Sequence, residues 1–181
     1  MNKKSFLITL SLACVLIGCS TTKPVQSQTG KLSPQEMIRQ DKIAEAKMAF
    51  KSPSEISDVD GTGDKVLHVS AETNNPELIT YFMFLGADAQ IKNYDSDTPL
   101  AVAIWNDAKE AAEAIVALNA NTLFDRDASG NTVLDLALTM DETYYDTLIT
   151  TKAGEVRDTE GQTIVHYFVG KKNLRGVKQC I

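Results

Sequence analysis

Two histidines and several pairs of acidic residues are the side chains of this chain that could take part in catalysis. His68 and His166 are the only histidines, and each follows an apolar residue, Leu67 or Val165, inside a similar short segment. A Ser–His–Asp or Cys–His site needs a histidine beside a nucleophile. Because the two histidines hold equivalent positions in separate segments, they do not predict a shared site.

A stretch beginning at Asp58 resembles the start of an EF-hand calcium loop. Thr62 and Gly63 fall at the fifth and sixth positions, where that loop needs an oxygen ligand and a glycine. The twelfth position, which needs a bidentate glutamate, is Val69. A turn rich in Asp and Gly accounts for the same residues, so we predict no metal site.

Acidic residues also recur in pairs, as paired carboxylates do in some hydrolases. The pairs are Asp95 and Asp97, Asp125 and Asp127, and Asp158 and Glu160. They lie at turn positions, where aspartate suits the backbone, and we therefore interpret them as solvated turns. A metal-dependent hydrolase that uses these turns is the remaining enzyme alternative. Phosphate loops, zinc-ligand spacings and cysteine clusters are absent from the sequence, so we predict no enzyme and no cofactor.

The elements that must position these residues are predicted by internal repetition. Four segments align, at 63–68 (GDKVLH), 96–101 (SDTPLA), 130–135 (GNTVLD) and 161–166 (GQTIVH). Their aligned apolar residues, Leu67, Leu100, Leu134 and Val165, are 33, 34 and 31 residues apart. Each unit of this length predicts two short amphipathic helices, which bury a continuous core only when neighbouring units stack.

A period near 33 with a Thr-Pro-Leu-His-type helix start resembles the ankyrin repeat, over about Asp60 to Ile181. Gly86, Ala87 and Asp88 resemble the helix-exit triplet of that family, and the later counterparts are degenerate. The resemblance implies an all-α fold, a solenoid of helix-turn-helix units. It also implies that His68 and His166 are structural residues that bond to neighbouring turns. We expect Thr98, Thr132 and Thr163 to cap the first helices.

These patterns divide the folded part into a cap and four repeats. The repeats are predicted at 58–92, 93–126, 127–157 and 158–181, with the last one truncated. Ser33, Pro34 and Glu36 predict a capped helix running to about Phe50, inside a capping segment at 33–57. At the other end, Val177, Cys180 and Ile181 form either a short last helix or an apolar edge that another chain covers.

The N-terminal residues predict export. Lys3 and Lys4 precede an apolar run at 6–17, as in a signal peptide. Residues 16–19 (LIGC) resemble the lipobox of bacterial lipoproteins, which implies a signal peptide at 1–18 and a lipid, such as palmitate, on Cys19. An ordinary secretory signal is the alternative.

The polar segment 19–32 predicts a flexible tether. Ser20 after the lipidated cysteine resembles the pattern of lipoproteins sorted to the outer membrane, facing the periplasm. Cys180 is then the only other cysteine of the mature chain, and we interpret it as a core residue rather than a reactive thiol.

The ankyrin resemblance also implies a binding surface, formed by the turn tips and the exposed sides of the first helices. Carried onto this sequence, it selects Tyr94, Asp95, Asp97, Trp105, Asn106, Asn131, Thr139 and Met140. Trp105 is the only tryptophan, and large aromatic residues beside acidic ones are typical of interface hot spots. The alternative is that Trp105 only packs on its neighbours.

Together these features predict a protein-binding module anchored in the bacterial envelope. The net charge is −6 and no Lys/Arg cluster is present, which argues against nucleic acid and favours a basic partner. Some ankyrin-repeat lipoproteins are immunity proteins that neutralise secreted effectors, and this chain is similar in layout. An envelope scaffold and a structural lipoprotein are the other hypotheses.

Overall fold

The computed structural model describes residues 32–50, 56, 58–141, 143–149 and 156–180, and it is all-α. The α-helices are α1 Pro34–Arg39, α2 Ile43–Ala49, α3 Val66–Glu72, α4 Pro76–Phe84, α5 Pro99–Trp105, α6 Lys109–Leu118, α7 Val133–Met140, α8 Tyr144–Leu148, α9 Ile164–Gly170 and α10 Leu174–Gln179. A 3-10 helix spans Ala120–Phe124. The predicted signal peptide, the lipidated Cys19 and nearly all of the tether lie outside the described residues, as does Ile181.

The helices follow one another in pairs, and each pair packs on the next. The two members of each pair, from α1–α2 to α9–α10, contact each other. First helices pack on first helices in the order α1, α3, α5, α7, while α4 packs on α6 and α6 on α8. This order brings the turns that precede successive first helices to the same side of the molecule.

The N-terminal capping segment differs from the prediction, because two helices stand where one was expected to reach Phe50. Asp41 has a φ of 60°, and the Lys42 N–H donates to the Met37 carbonyl at 2.8 Å while the Asp41 N–H donates to Ile38 at 3.0 Å. These two bonds form a Schellman motif, which ends α1. Aspartate tolerates this left-handed conformation better than most residues.

The same turn joins the helices of three later pairs. Asn74, Asp107 and Lys172 have φ values of 51°, 55° and 55°, and each sits between the two helices of its pair. The segment 34–49 is therefore a helix pair like the others, and not a single cap. Sequence reasoning missed it because its first helix lacks the Thr-Pro-Leu-His-type start.

Side-chain caps fix where the first helices begin. Thr98 accepts from the Ala101 N–H and Thr132 from the Asp135 N–H, as predicted. Ser33 accepts from the Glu36 N–H at 3.2 Å. At α9 the Thr163 hydroxyl instead lies 2.8 Å from Nδ1 of His166.

The core runs between the stacked pairs. The aligned residues Leu67, Leu100 and Leu134 are buried, and truncating one such leucine to alanine typically costs about 2–5 kcal/mol. Ala103 and Ala137 are fully buried where first helices meet, so a larger side chain there would force the helices apart. The core is therefore continuous from pair to pair.

Candidate protein-binding surface

The turns that precede α3, α5, α7 and α9 share one hydrogen-bond pattern. Each begins with Asp60, Asn93, Asp127 or Asp158, whose side-chain Oδ1 accepts from the N–H groups two and four residues later, at 2.8–3.0 Å. The N–H of the same residue donates to the carbonyl four residues later, at 2.9–3.0 Å. The acidic turn residues thus hold their own backbone in shape, as Asx side chains do in tight turns.

Asp60 illustrates how this pattern excludes the calcium-loop reading. Its carboxylate accepts from Thr62 and Asp64 and forms a 2.7 Å ion pair with Arg39. Burial alone would raise the pKa of Asp60, but the hydrogen bonds from Thr62 and Arg39 outweigh it and hold the pKa at about 2. This carboxylate is therefore neutralised by protein groups and has no need of a metal ion.

His68 ties the first repeat to the second. Its Nδ1 accepts from the Lys65 N–H, and its Nε2 lies 3.1 Å from the Asp97 carbonyl. The ring is fully buried, and burial lowers the pKa of His68 below its usual value. A buried neutral imidazole with both nitrogens engaged is a structural link, and it cannot reach a substrate.

Tyr94 lies at the tip of the second turn, and its side chain is 73% exposed. Its ring covers the backbone of Gly63, where an added Cβ would meet the ring at 2.5 Å. Gly63 has a φ of 79°, so a side chain there would be both strained and crowded. The glycine of one turn therefore lets the tyrosine of the next turn lie flat, while leaving its other face open to solvent.

Trp105 lies at the end of α5 and is 49% exposed. It lines a cavity of about 20 Å³, large enough for one water molecule, between the second and third repeats. Asp97 and Asn131, two other residues of the predicted surface, line the same cavity. The structure thus brings three of the eight predicted residues together.

The other predicted residues lie at nearby turn tips and helix ends. Asp95 is exposed beside Tyr94 in the second turn. Asn106 follows Trp105 and bonds to the Val102 carbonyl at 2.8 Å. Thr139 and Met140 end α7, and Met140 is 47% exposed. Since α5 packs on α7, both helix ends face the same side as the turns.

Two polar links between repeats were not anticipated from the sequence. Arg39 pairs with Asp60, Asp64 and Glu72, which joins α1 to the first repeat. Asp135 in α7 accepts from the Tyr167 hydroxyl and pairs with Lys171 at 2.9 Å, which joins the third repeat to the fourth. No local motif marks these pairs, because their partners are about 20 to 36 residues away and meet only after stacking.

Asp125 is the exception among the acidic residues. Gln90 donates to its Oδ1 at 2.5 Å, but its buried Oδ2 has no hydrogen-bond partner among the described residues. Burial raises the pKa of Asp125 to about 6, against the opposing effects of Gln90 and of the Lys92 charge. It sits between the loop that follows α4 and the third turn, away from the predicted binding residues.

The remaining chemistry on this surface is limited. Within the described ranges, no three His, Cys, Asp or Glu side chains converge to hold a metal ion. None of the described helices is both long enough and apolar enough to cross a membrane. No model of a known protein family matches this chain, and no curated protein matches it.

Proposed function

We propose that this chain is a protein-binding module of stacked ankyrin-type repeats, anchored in the bacterial envelope through a lipid on Cys19. The observation that carries the proposal is the exposure of Tyr94, Trp105 and Met140 on one side of successive repeats. Large apolar side chains in such positions cost solubility without adding to the core, which favours a role in binding.

The ankyrin assignment is supported by the repeating backbone. Four turns with the same Asx hydrogen bonds precede four first helices, at intervals of 33, 34 and 31 residues between Asp60, Asn93, Asp127 and Asp158. His68 bonds to the next turn in the way that the family resemblance implies. Regular turns of this kind present side chains at a constant spacing, which suits an extended partner.

Binding is favoured over catalysis by the state of the acidic residues. Asp60, Asp127 and Asp158 spend their side-chain oxygens on their own turns, and both nitrogens of His68 are engaged. A general acid or base needs an oxygen or nitrogen within reach of a substrate. The predicted metal-dependent hydrolase therefore loses its support.

The sharper hypothesis is an immunity protein that neutralises a secreted effector in the periplasm, at the outer membrane. It rests on similarity of layout to ankyrin-repeat lipoproteins. An envelope scaffold would use the same surface for a resident protein. The identity of the captured partner separates the two, because only the immunity role requires a toxic one.

A pull-down from the native envelope tests the proposal. The bait is the full chain, compared with a Tyr94→Ala, Trp105→Ala double variant. We expect a specific protein to bind the first and to be lost from the second, since removing one hot-spot residue costs about 2 kcal/mol, or roughly 30-fold in Kd.

Phe84→Ala is the matched control. Phe84 is 90% exposed at the end of α4, so its removal deletes a similar apolar area from a second helix. It should leave capture unchanged. Equal capture by all three baits would remove the proposed surface, and a large fall in the Tm of Trp105→Ala would assign Trp105 to the core.

A further inference from the structure

The last described helix pair has side chains whose counterparts in α3–α4 are covered by the next pair. The end face, as we call it, consists of Val165, His166, Val169, Val177 and Cys180. The counterparts, 98 residues earlier, are Leu67, His68, Ala71, Ile79 and Phe82, and all of them are buried. On the end face Val169 is 61% exposed and His166 is exposed. The comparison identifies a surface built to be covered by another helix pair.

The histidine shows how such a pair would dock. In His68, Nδ1 accepts from the Lys65 N–H and Nε2 meets the Asp97 carbonyl, one residue before the cap Thr98 of the next first helix. In His166, Nδ1 accepts from the Thr163 N–H at 3.2 Å, so the ring has the same setting. The Nε2 atom of His166 would therefore meet a carbonyl one residue before a helix cap.

The opposite end of the stack offers a matching surface. In α2, Ala46 and Phe50 are buried against the first repeat, and Lys47 pairs with Glu77. The other side of the helix is the front face, consisting of Ala44, Glu45 and Met48, which are exposed. Met48 is 70% exposed. An apolar side chain here has no use within the described fold.

Charge and position favour pairing of the two faces. Asn74, between α3 and α4, donates from its side chain to Glu110 in the first turn of α6. Its counterpart in the last pair is Lys172, and the first turn of α2 contains Glu45. Residues 156–180 carry five basic and two acidic side chains, whereas residues 58–149 carry four basic and seventeen acidic ones. The end face is thus on the basic end of an acidic chain.

We propose that the end face of one copy binds the front face of a second copy, so that the stack continues from chain to chain. His166 then donates to the carbonyl of the partner copy's Leu32, one residue before the cap Ser33, and Lys172 pairs with Glu45 of the partner subunit. Such a contact uses two different surfaces and does not close by itself, so it adds copies one after another. It stands independently of the binding surface around Trp105.

Sedimentation velocity of the full chain over a dilution series tests the proposal. We expect the average mass to rise with concentration. Val169→Asp blocks the end face and Met48→Asp blocks the front face, so each variant alone should be monomeric. An equal mixture of the two should form a dimer and nothing larger, because one intact face of each kind remains. Phe84→Asp, which is far from both faces, should associate like the wild type.

Each alternative has its own outcome. A wild-type chain that stays monomeric at all concentrations overturns the proposal. A contact between two end faces would leave Met48→Asp dimeric and would give no dimer in the mixture, which also overturns it. Lys172→Glu and Glu45→Lys provide a second check, since each should weaken association and their mixture should restore it. Circular dichroism on every variant confirms that the fold is retained.

Discussion

Replacing Asp125 with asparagine should stabilise the protein at neutral and alkaline pH. Asp125 lies between the first and second repeats, with Gln90 on one carboxylate oxygen and no described partner on the other. Asparagine keeps the oxygen that Gln90 binds and removes the buried charge. The side chains that face it are those of Gln90, Lys92 and Asp88, so the change also removes a repulsion from Asp88 and an attraction to Lys92.

The magnitude follows from the pKa. Burial raises the pKa of Asp125 from 3.8 to about 6, and one pKa unit corresponds to about 1.4 kcal/mol. The upper bound is then about 3 kcal/mol, and roughly 1–2 kcal/mol is realistic because the side chain is only partly buried. The folded-state pKa is raised, so the stability of the protonated form is full below pH 3.8 and is lost as the pH rises through about 6.

Urea unfolding at pH 4, 6 and 8 provides the measurement, at roughly these values of pH on either side of the Asp125 pKa. The asparagine variant should gain about 1–2 kcal/mol over the wild type at pH 8 and almost nothing at pH 4. Asp127→Asn is the control in the same loop. Burial raises the pKa of Asp127, but the hydrogen bonds from Asn131 and Ser129 outweigh it and lower the pKa, so this variant should lose stability at pH 8. A gain for Asp125→Asn that is the same at every pH would refute the reasoning.

Three further substitutions test the links between repeats. Gly63→Ala should lower the Tm and displace Tyr94, because its Cβ would meet the ring at 2.5 Å at a φ of 79°; calorimetry and partner binding should both respond. His68→Ala should cost about 2–3 kcal/mol in urea unfolding, since it leaves a cavity and two unpaired backbone groups. Asp135→Asn should destabilise at pH 7: burial raises the pKa of Asp135, but the bond from Tyr167 and others outweigh it and hold the pKa at about 2. This stability is present above pH 3.8 and is lost as the pH falls through about 2, so wild type and variant should converge in acid.

The helical class and most helix starts could be predicted because they depend on local sequence. Thr98 and Thr132 cap their helices, and Pro99 occupies the first helical position, as the residue types require. The spacing of Leu67 and Leu100 likewise reports burial of equivalent positions. These are short-range signals, which stacking reinforces and does not change.

The break at Asp41 and the burial of Asp125 could not be predicted in the same way. The left-handed turn at Asp41 depends on two backbone bonds, and the apolar pattern on either side of it is equally compatible with one continuous helix. The raised pKa of Asp125 depends on the loop near Gln90, which lies 35 residues earlier. Contacts at this distance exist only once neighbouring repeats have packed.

The polar links give each junction its own chemistry. His68 bonds to a carbonyl across the first junction, Tyr144 donates to Asp107 across the second, and Tyr167 donates to Asp135 across the third. Apolar stacking alone would allow one repeat to sit on any other, because Leu67 and its counterparts are nearly interchangeable. A tyrosine hydroxyl facing a carboxylate, or an imidazole facing a carbonyl, is satisfied only in one order and one register. The leucines therefore supply most of the cohesion, and the polar links determine which repeat follows which.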